Sequence, residues 1–390
     1  MNELKKVDVI VSGGGLVGLT AALYLSSLGR RIMLVEDRRP ITSKGALGFY
    51  LRTVLLSPSS IDFIAKVASI NSVRNQAVSG IKVWESEGTG SIHFRAAELG
   101  KATIGSIFEM TTLVDFLWHQ LSCVEIECPA RVGSVELGDK AVVAKLTNGV
   151  IVTGDLLMIA EGPGSATRQM LAVNQRTYES NEKAIVSVAR MESAHGELAY
   201  QRFGEGPLAL LPLPSPHYVS VIWSAPKHVV QGRSAPSIIG LLKREIEAVL
   251  GEVSEIDEVS QFGIRQSLVD DFNPFQRVLI VGDSARNIHP MAGQGVNLGV
   301  EDLFGISKVA QRQVPDMGSP KLWRRYAARR KVRSQGMISI MQFFQSTYKW
   351  TDPYARWLRN VGVRKLDRSP RLKRQLMREA MGIGPISEMY

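Results

Sequence analysis

The segment at residues 13–18 combines closely spaced glycines with two flanking apolar runs. Residues 7–12 indicate a buried strand, and residues 19–28 indicate a helix. In such a strand–turn–helix unit, glycines permit a tight turn, close approach of a pyrophosphate and close packing of the helix on the strand, while the helix amino terminus favours the phosphate charge. The spacing therefore predicts a dinucleotide site. Its predicted contact residues are Gly13, Gly15, Leu16, Val17 and Gly18.

An acidic pair follows the next apolar run. Residues 31–36 indicate a second strand that ends in Glu36, and Asp37 comes directly after it. A dinucleotide-binding unit has a carboxylate about 20 residues beyond its glycine turn, where the acid accepts hydrogen bonds from the adenosine ribose. The glycine motif alone is a weak signal, because an ordinary turn has the same pattern. The flanking strand, helix and acid favour the dinucleotide site without separating NAD from FAD.

A second polar and glycine-rich element lies near residue 280. The apolar run 277–281 is followed by an acid and, at 289–299, by a glycine-rich helix start. An acid at the end of a strand can accept hydrogen bonds from a polyol, and a helix amino terminus favours an anion such as reduced flavin. A capped strand-to-loop turn is the alternative. An NAD dehydrogenase needs no polyol acceptor, so the two distant elements together indicate FAD. The predicted contacts here are Asp283, Pro290, Gly293, Gly295, Val296 and Asn297.

His289 stands beside this element, directly before Pro290. We interpret it as a residue in a structural hydrogen bond, with proton transfer as the alternative. The other five histidines are scattered singly, without the spacing of metal ligands. The sequence therefore predicts no metal site.

The strands and helices that position these residues are expected to form two domains, each with its own hydrophobic core. The chain has 390 residues, of which 45% are hydrophobic and 22% charged, as in a folded globular protein with room for a central cleft. We predict an α/β fold with a Rossmann-type FAD-binding domain, similar to that of glutathione reductase, and an interleaved mixed β-sheet substrate domain. The predicted limits are 1–75, 100–175 and 270–320 for the FAD domain, 76–99 and 176–269 for the sheet domain, and 321–390 for a basic C-terminal helical region.

The cysteine and hydropathy patterns limit the expected cellular location of the protein. Cys123 and Cys128 are five residues apart in a predicted extended segment, where an odd offset points side chains to opposite faces. A disulfide is therefore not expected, and a reducing compartment such as the cytoplasm fits best. No run of 18 apolar residues predicts a membrane span.

The excess positive charge lies in the C-terminal region. Residues 321–390 carry 17 Lys and Arg against 4 Asp and Glu, whereas residues 1–320 carry 30 against 33. Basic clusters alternate there with aromatic side chains, a pattern typical of an interfacial helix. We predict peripheral contact of residues 321–374 with the inner face of the plasma membrane. A solvated helix face and an acidic partner protein are alternatives, and no recognition motif indicates nucleic acid.

Several segments are similar to those of one known family. Residues 288–299 match the family signature around the flavin ring, and residues 51–59, with Arg52, match its arginine-bearing segment. Residues 206–212 and 221–223 resemble its substrate-covering sheet. Over nearly its whole length the chain resembles the class A flavoprotein monooxygenases and, within them, the ubiquinone-biosynthesis hydroxylases.

This resemblance implies hydroxylation of a polyprenylated phenol in ubiquinone biosynthesis by FAD, NAD(P)H and O2. It also implies that Arg52 and Glu109 contact the cofactor. Because no second Gly-x-Gly-x-x-Gly occurs, we expect NAD(P)H to bind transiently at the flavin face. A quinone-synthesis protein complex or a homo-oligomer is a further expected partner, and no catalytic acid or base is assigned.

Two positions depart from the family pattern. Glu161 stands where the family usually has aspartate, which affects how nicotinamide engages, and Met110 follows Glu109 where an asparagine is usual. These departures leave two alternatives open. One is another flavin reaction on the same fold, such as reduction of a lipid double bond, and the other is a non-catalytic flavoprotein scaffold of a quinone-synthesis complex.

Overall fold

A computed structural model describes residues 4–86, 90–204, 206–289, 293–312, 314–349, 352, 360–362 and 365–384. The helices are α1 Leu16–Ser27, α2 Pro58–Ala65, α3 Met110–Trp118, α4 Ala166–Met170, α5 Lys227–Val230, α6 Ala235–Leu250, α7 Gly295–Ala310, α8 Pro320–Lys349 and α9 Pro370–Ala380. The strands are β1 Leu4–Lys6, β2 Val9–Ser12, β3 Ile32–Val35, β4 Thr53–Leu56, β5 Asn75–Val78, β6 Gly80–Glu85, β7 Ser91–Arg95, β8 Gly105–Glu109, β9 Glu125–Glu127, β10 Val132–Leu137, β11 Val142–Leu146, β12 Ile151–Gly154, β13 Leu156–Ile159, β14 Gln175–Met191, β15 Leu198–Phe203, β16 Leu208–Pro212, β17 Tyr218–Pro226, β18 Val253–Ile256, β19 Ser260–Val269, β20 Val278–Ile280 and β21 Arg286–Asn287.

A five-stranded parallel sheet has the strand order β20-β13-β2-β3-β9. Strands β2, β3, β13 and β20 are buried along their whole length, as in parallel sheets that are covered on both faces. Because the carboxyl ends of parallel strands meet at one edge, the segments that follow β2, β3, β13 and β20 come together there.

Helix α1 begins earlier than the sequence pattern predicts. The predicted helix covered residues 19–28, but α1 begins at Leu16, with Gly15 as its N-cap, and ends at Ser27. The sequence pattern assigns residues 16–18 to the turn, whereas the tight turn is complete at Gly15. The glycine turn is therefore shorter than expected, and Gly18 lies inside the helix.

A nine-stranded sheet has the order β21-β19-β14-β17-β16-β15-β6-β7, with β18 paired to β14. It joins the segments 80–95 and 175–269, and also receives β21 from the segment predicted to belong to the FAD domain. Strand β5 instead pairs with β8 in a three-stranded sheet with β4. Ile238, Leu242 and Ile246, one face of α6, pack in the core of the large sheet.

Helix α8 is part of the main hydrophobic core. Trp323 is fully buried, and its Nε1 donates to the Met317 carbonyl at 2.6 Å. Tyr326, Ala327 and Ile338 belong to the same core cluster as the parallel sheet. Among the described residues, no helix combines the length and apolar character that a bilayer span requires.

Candidate cofactor site

A cavity of about 520 Å³ opens at the carboxyl edge of the parallel sheet. Segments that are distant in the sequence line it, including both predicted halves of the cofactor site. The predicted residues found in its lining are Gly13, Gly15, Leu16, Val17, Glu36, Arg52, Asp283 and Val296.

Two glycines of the opening turn are required by close packing. Gly13 has φ +113°, and a Cβ there would overlap the carbonyl group of Ala160, which follows β13. A Cβ on Gly18 would overlap the Gly13 carbonyl oxygen. Gly18 thus lies beneath the turn, where it lets α1 approach the strand, and is absent from the cavity lining.

Gly15 has a different environment. Its backbone is extended, with φ −78° and ψ −179°, and a Cβ built there would meet no heavy atom within 4 Å. The amino terminus of α1 has no side-chain cap and no acid in its first turn. Its unpaired amides and partial positive charge therefore face open space of the kind that a phosphate group fills.

Glu36 borders this anion cradle. Its Oε2 accepts a hydrogen bond from the Gly14 amide, and its Oε1 accepts one from the Arg38 amide at 3.2 Å. Asp37 turns away and forms hydrogen bonds with Arg131 at 2.7 and 2.6 Å, which hold the pKa of the Asp37 carboxyl below its ordinary value. Asp37 lines a neighbouring cavity of about 290 Å³ that also includes Glu36.

Asp283 lies in the short turn Gly282–Ser284 that follows β20. Burial raises the pKa of its carboxyl, and the nearby charges of Arg52 and Arg286 oppose that rise. The start of α7 is close by, because a Cβ on Gly295 would lie 4.0 Å from Asp283 Oδ1. The α7 amino terminus has no side-chain cap. Gly293 is exposed with φ +59°, and Pro290 lies outside the described residues.

Glu109 and Asn297 lie outside the cavity lining and contact protein groups. Glu109 is 1% exposed and accepts hydrogen bonds from the Tyr50 amide and from Arg74 Nε, both at 2.7 Å. The Asn297 side chain accepts from the Ser57 amide at 2.9 Å and donates to the Leu55 carbonyl at 2.8 Å. Asn297 thus ties α7 to the β4–α2 connection.

His289 is fully buried, and its Nε2 lies 2.9 Å from Glu182 Oε2. Glu182 also accepts a hydrogen bond from Ser180 at 2.7 Å. This geometry fits the structural interpretation of His289, because the contact joins the segment before α7 to β14. The described part of the chain contains no cluster of three His, Cys, Asp or Glu residues suited to a metal ion, and both cysteines are free.

Sequence reasoning missed one wall of the cavity. Thr111, Val114 and Trp118 of α3 line it, and the Trp118 Nε1 donates to the Gly14 carbonyl at 3.2 Å. Their spacing of three and four residues places them on one helix face. That spacing is detectable in the sequence, but it equally describes an ordinary core-facing helix.

Glu161 lies in the cavity lining, and its carboxylate receives several hydrogen bonds. The donors are the hydroxyls of Ser12, Ser165 and Thr167 and the Thr167 amide. The nearby Arg168 is 2% exposed and donates to the carbonyls of Ser284 and Pro163 at 2.7 and 2.9 Å. Burial lowers the pKa of the Arg168 guanidinium. Both side chains are engaged in holding the loops around the cavity.

We predict that Glu161→Gln lowers the thermal stability of the protein without changing the KM for NAD(P)H, the co-substrate that the family resemblance leads us to expect. An amide presents an NH2 group to hydrogen-bond donors, which costs about 1–3 kcal/mol when a buried partner is left unsatisfied. Thermal unfolding and steady-state kinetics measure the two effects. A higher KM at unchanged stability would instead identify Glu161 as a nicotinamide contact.

The chain is similar over nearly its whole length to known hydroxylases and to solved monooxygenase structures. The chain is 26% identical to 3-demethoxyubiquinol 3-hydroxylase of Escherichia coli, over 96% of this chain and 98% of that protein. It is 27% identical to a ubiquinone hydroxylase of Rhodospirillum rubrum, over 98% and 91%. Among solved structures, p-nitrophenol 4-monooxygenase of Pseudomonas putida aligns with a TM-score of 0.80 and 17% identity, over 98% of this chain and 99% of that one. A single-residue variant of Klebsiella pneumoniae HpxO, complexed with FAD, aligns with a TM-score of 0.76 and 19% identity, over 97% of this chain and 100% of that one.

The polar groups that line the cavity fit FAD. An uncapped helix amino terminus suits the pyrophosphate, Glu36 suits a ribose and Asp283 suits a polyol, all within one cavity. The structural likenesses confirm the predicted α/β fold with a Rossmann-type domain and an interleaved sheet. The model of the family described as FAD binding domain matches residues 6–340. The chain therefore belongs to the FAD binding domain family, and FAD is its cofactor.

Proposed function

We propose that the protein is an FAD-dependent monooxygenase that hydroxylates the aromatic ring of a polyprenylated phenol in ubiquinone biosynthesis, with NAD(P)H and O2 as co-substrates. The observation that carries the proposal is the single cavity that gathers the Gly13–Val17 turn, Glu36, Arg52 and Asp283. The names of relatives that match over nearly the whole chain support the reaction and the substrate class.

When bound, FAD supplies the redox chemistry, and the chain binds and orients it. The α1 amino terminus would hold the pyrophosphate and Glu36 the adenosine ribose. Asp283 would accept hydrogen bonds from the ribityl hydroxyls, and Arg52 adds a positive charge beside it. Arg168 steadies this arrangement, since it holds the carbonyl of Ser284 next to Asp283.

Oxygen labelling tests the proposed reaction. Purified FAD-loaded protein, supplied with NAD(P)H, a prenylated phenol and 18O2, should release a product that is heavier by one labelled oxygen atom. A lipid reductase would consume NAD(P)H without O2 and leave no label in its product. A non-catalytic scaffold would bind FAD but oxidise no NAD(P)H with any phenol. Either result would overturn the proposal.

We also propose a cytoplasmic location with peripheral contact on an anionic membrane surface, through the exposed face of α8. Val332, Ile340 and Phe343 of this helix are 72%, 49% and 62% exposed. Arg324 and Arg325 are exposed about two turns before Val332 and about five turns before Phe343 on the same helix. A helix surface that exposes both apolar and basic side chains matches the chemistry of a lipid headgroup boundary.

The basic cluster at 321–333 contributes less charge to this surface than its sequence suggests. Arg330 is fully buried and Arg333 is mostly buried, and both form ion pairs with Glu301. These two arginines are therefore turned away from any lipid. Trp350, Tyr354 and Trp357, which belong to the same sequence pattern, lie outside the described residues.

We predict that Phe343→Glu lowers the binding of the protein to anionic vesicles about tenfold or more, because burial of a phenylalanine side chain is worth about 1.5–3 kcal/mol. Flotation with vesicles that contain phosphatidylserine measures the effect. Phe262→Glu is the matched control, since Phe262 of β19 is 51% exposed. Equal flotation of the Phe343 variant and wild type would contradict this contact surface.

A further inference from the structure

A buried ionic cluster lies directly behind the Gly282–Asp283 turn. At its centre is Asp302 of α7, which is 0% exposed. Its carboxylate accepts hydrogen bonds from the Gly282 amide at 2.8 Å, from Arg286 Nη1 at 3.0 and 2.8 Å, and from Arg330 Nε at 2.5 Å. One carboxylate thus joins the cofactor turn, β21 and α8.

Arg330 links α8 to this cluster. It is 0% exposed, and besides Asp302 it donates to the Leu298 carbonyl at 2.9 Å and to Glu301 at 3.3 Å. Arg333, one turn further along α8, donates to Glu301 at 3.3 and 3.4 Å. Burial alone would raise the pKa of Glu301, but the charges of Arg330 and Arg333 outweigh burial and lower it.

Stability alone is a poor explanation for such a cluster. Removing ions from water costs several kcal/mol each, and replacing a buried ion pair by apolar side chains is often neutral or stabilising. Helix α8 already packs through Trp323, Tyr326 and Ala327 in the main core. The ionic contacts add what apolar contacts lack, namely fixed directions towards individual backbone groups.

The cofactor turn needs such fixed directions. Gly282 has φ +59°, a conformation that favours glycine, and its neighbour Asp283 lines the cavity. Asp302 holds the amide at the start of the turn, and Arg168 holds the Ser284 carbonyl at its end. Because both ends of the turn are held, groups outside the cavity lining fix the backbone that carries Asp283.

We infer that Asp302 and Arg330 are positioning residues for the flavin site, with Arg330 holding the Asp302 carboxylate against the Gly282 amide. The geometry of the Gly282–Asp283 turn then depends on helix α8. This inference rests on FAD binding in the cavity, which the proposed function also requires, but it is independent of the reaction catalysed.

Arg330→Met tests the inference, because methionine fills part of the same volume without charge or donors. Arg333→Met is the matched control, since Arg333 also pairs with Glu301 from the same helix. Hydrogen exchange of the apoprotein peptide 278–286 gives a first readout, which needs no cofactor. We expect faster exchange in Arg330→Met and wild-type exchange in Arg333→Met.

FAD affinity, measured by fluorescence titration, is the second readout. We expect Arg330→Met to weaken FAD binding about tenfold, within the range known for residues that act on a site without touching the ligand, and Arg333→Met to stay within about twofold. If Arg330→Met does not fold, Arg330→Lys keeps the charge but loses the donor geometry and should show the same two changes at near wild-type thermal stability.

Two outcomes would overturn the inference. One is unchanged exchange of peptide 278–286 in the Arg330 variants, and the other is an equal effect of the Arg330 and Arg333 substitutions on both readouts. A wild-type protein that binds FAD but transfers no labelled oxygen would remove the proposed reaction and leave this result intact.

Discussion

Replacing Gly15 with alanine is expected to weaken FAD binding roughly 100-fold, or about 2.7 kcal/mol, without destabilising the apoprotein. The backbone at Gly15 has φ −78°, which alanine adopts easily, and the added methyl group would meet no protein atom within 4 Å. The same methyl group would enter the space at the uncapped start of α1, where the pyrophosphate must approach the backbone. Thermal unfolding of the apoprotein and FAD titration measure the two effects separately.

Gly13→Ala provides the contrast. Its φ of +113° is unfavourable for alanine, and a Cβ there would lie 2.7 Å from the Glu161 amide nitrogen and closer still to the Ala160 carbonyl. We expect this substitution to destabilise the apoprotein itself, by about 2–4 kcal/mol. If Gly15→Ala bound FAD as tightly as wild type, the pyrophosphate would have to lie elsewhere in the cavity.

Asp283→Asn is expected to stabilise the apoprotein at neutral pH and to weaken FAD binding. Burial raises the pKa of the Asp283 carboxyl above its ordinary value of 3.8. The folded protein therefore binds this proton more tightly than the unfolded chain. Its free energy of unfolding must fall as the pH rises from about 3.8 through the raised folded-state pKa. An uncharged asparagine does not suffer this loss.

Urea unfolding of the apoproteins at two pH values tests the sign of this change in the free energy of unfolding. The advantage of Asp283→Asn should be present at pH 7 and should shrink towards zero below pH 3.8, where the unfolded as well as the folded carboxyl binds a proton. FAD affinity should fall about tenfold or more, since a hydrogen bond to a charged group is worth about 1.5–3 kcal/mol. A less stable variant at pH 7 would show that the nearby arginines outweigh burial.

Asp37→Asn is the control, for which we expect a stability change of the opposite sign. Hydrogen bonds from Arg131 lower the pKa of Asp37, so its contribution to stability is present above pH 3.8 and is lost as the pH falls. We expect this variant to be slightly less stable than wild type at pH 7. Asp37 lies outside the main cavity lining, so its substitution should affect FAD binding less than substitution of Asp283.

The glycine turn and the two acids were predictable because their roles are local. Gly13 needs its positive φ for a turn of a few residues, and Glu36 and Asp283 each follow a short apolar strand. The order of strands in the sheets does not follow from such local signals, because it depends on pairing between distant segments, such as β13 with β2. Individual boundaries do not follow from them either, as the early start of α1 illustrates.

Other parts of the site depend on partners that are distant in the sequence. Asn297 lies in a segment typical of flavin contacts, yet its side chain bonds to residues 55 and 57, more than 200 positions away. Glu109 is likewise occupied by Tyr50 and Arg74. Residue type indicated polarity at these positions, but only the assembled fold determines which polar group meets which partner.

The largest difference between the sequence-based expectation and the structure is the direction in which the arginines of α8 point. A run of charge predicts an exposed face, but Arg330 lies on the same helix stripe as Trp323, Ala327, Ser334 and Ile338, all of which are buried. The sequence contains a signal for this, because Arg330 occurs among apolar residues at helical spacing. Such a position indicates that the arginine pairs with a buried acid of the same protein, here Asp302, and not with an external partner.

The embedding of α8 has a practical consequence for truncation. A shortened chain that stops before Pro320 would lose Trp323 from the core and would leave Glu301 and Asp302 without Arg330. Asp302 would keep Arg286 and the Gly282 amide, but Glu301 would lose both Arg330 and Arg333, and this loss favours local opening. Such a fragment would expose new apolar surface and adhere to vesicles for reasons unrelated to the native protein, so membrane assays should use full-length point variants.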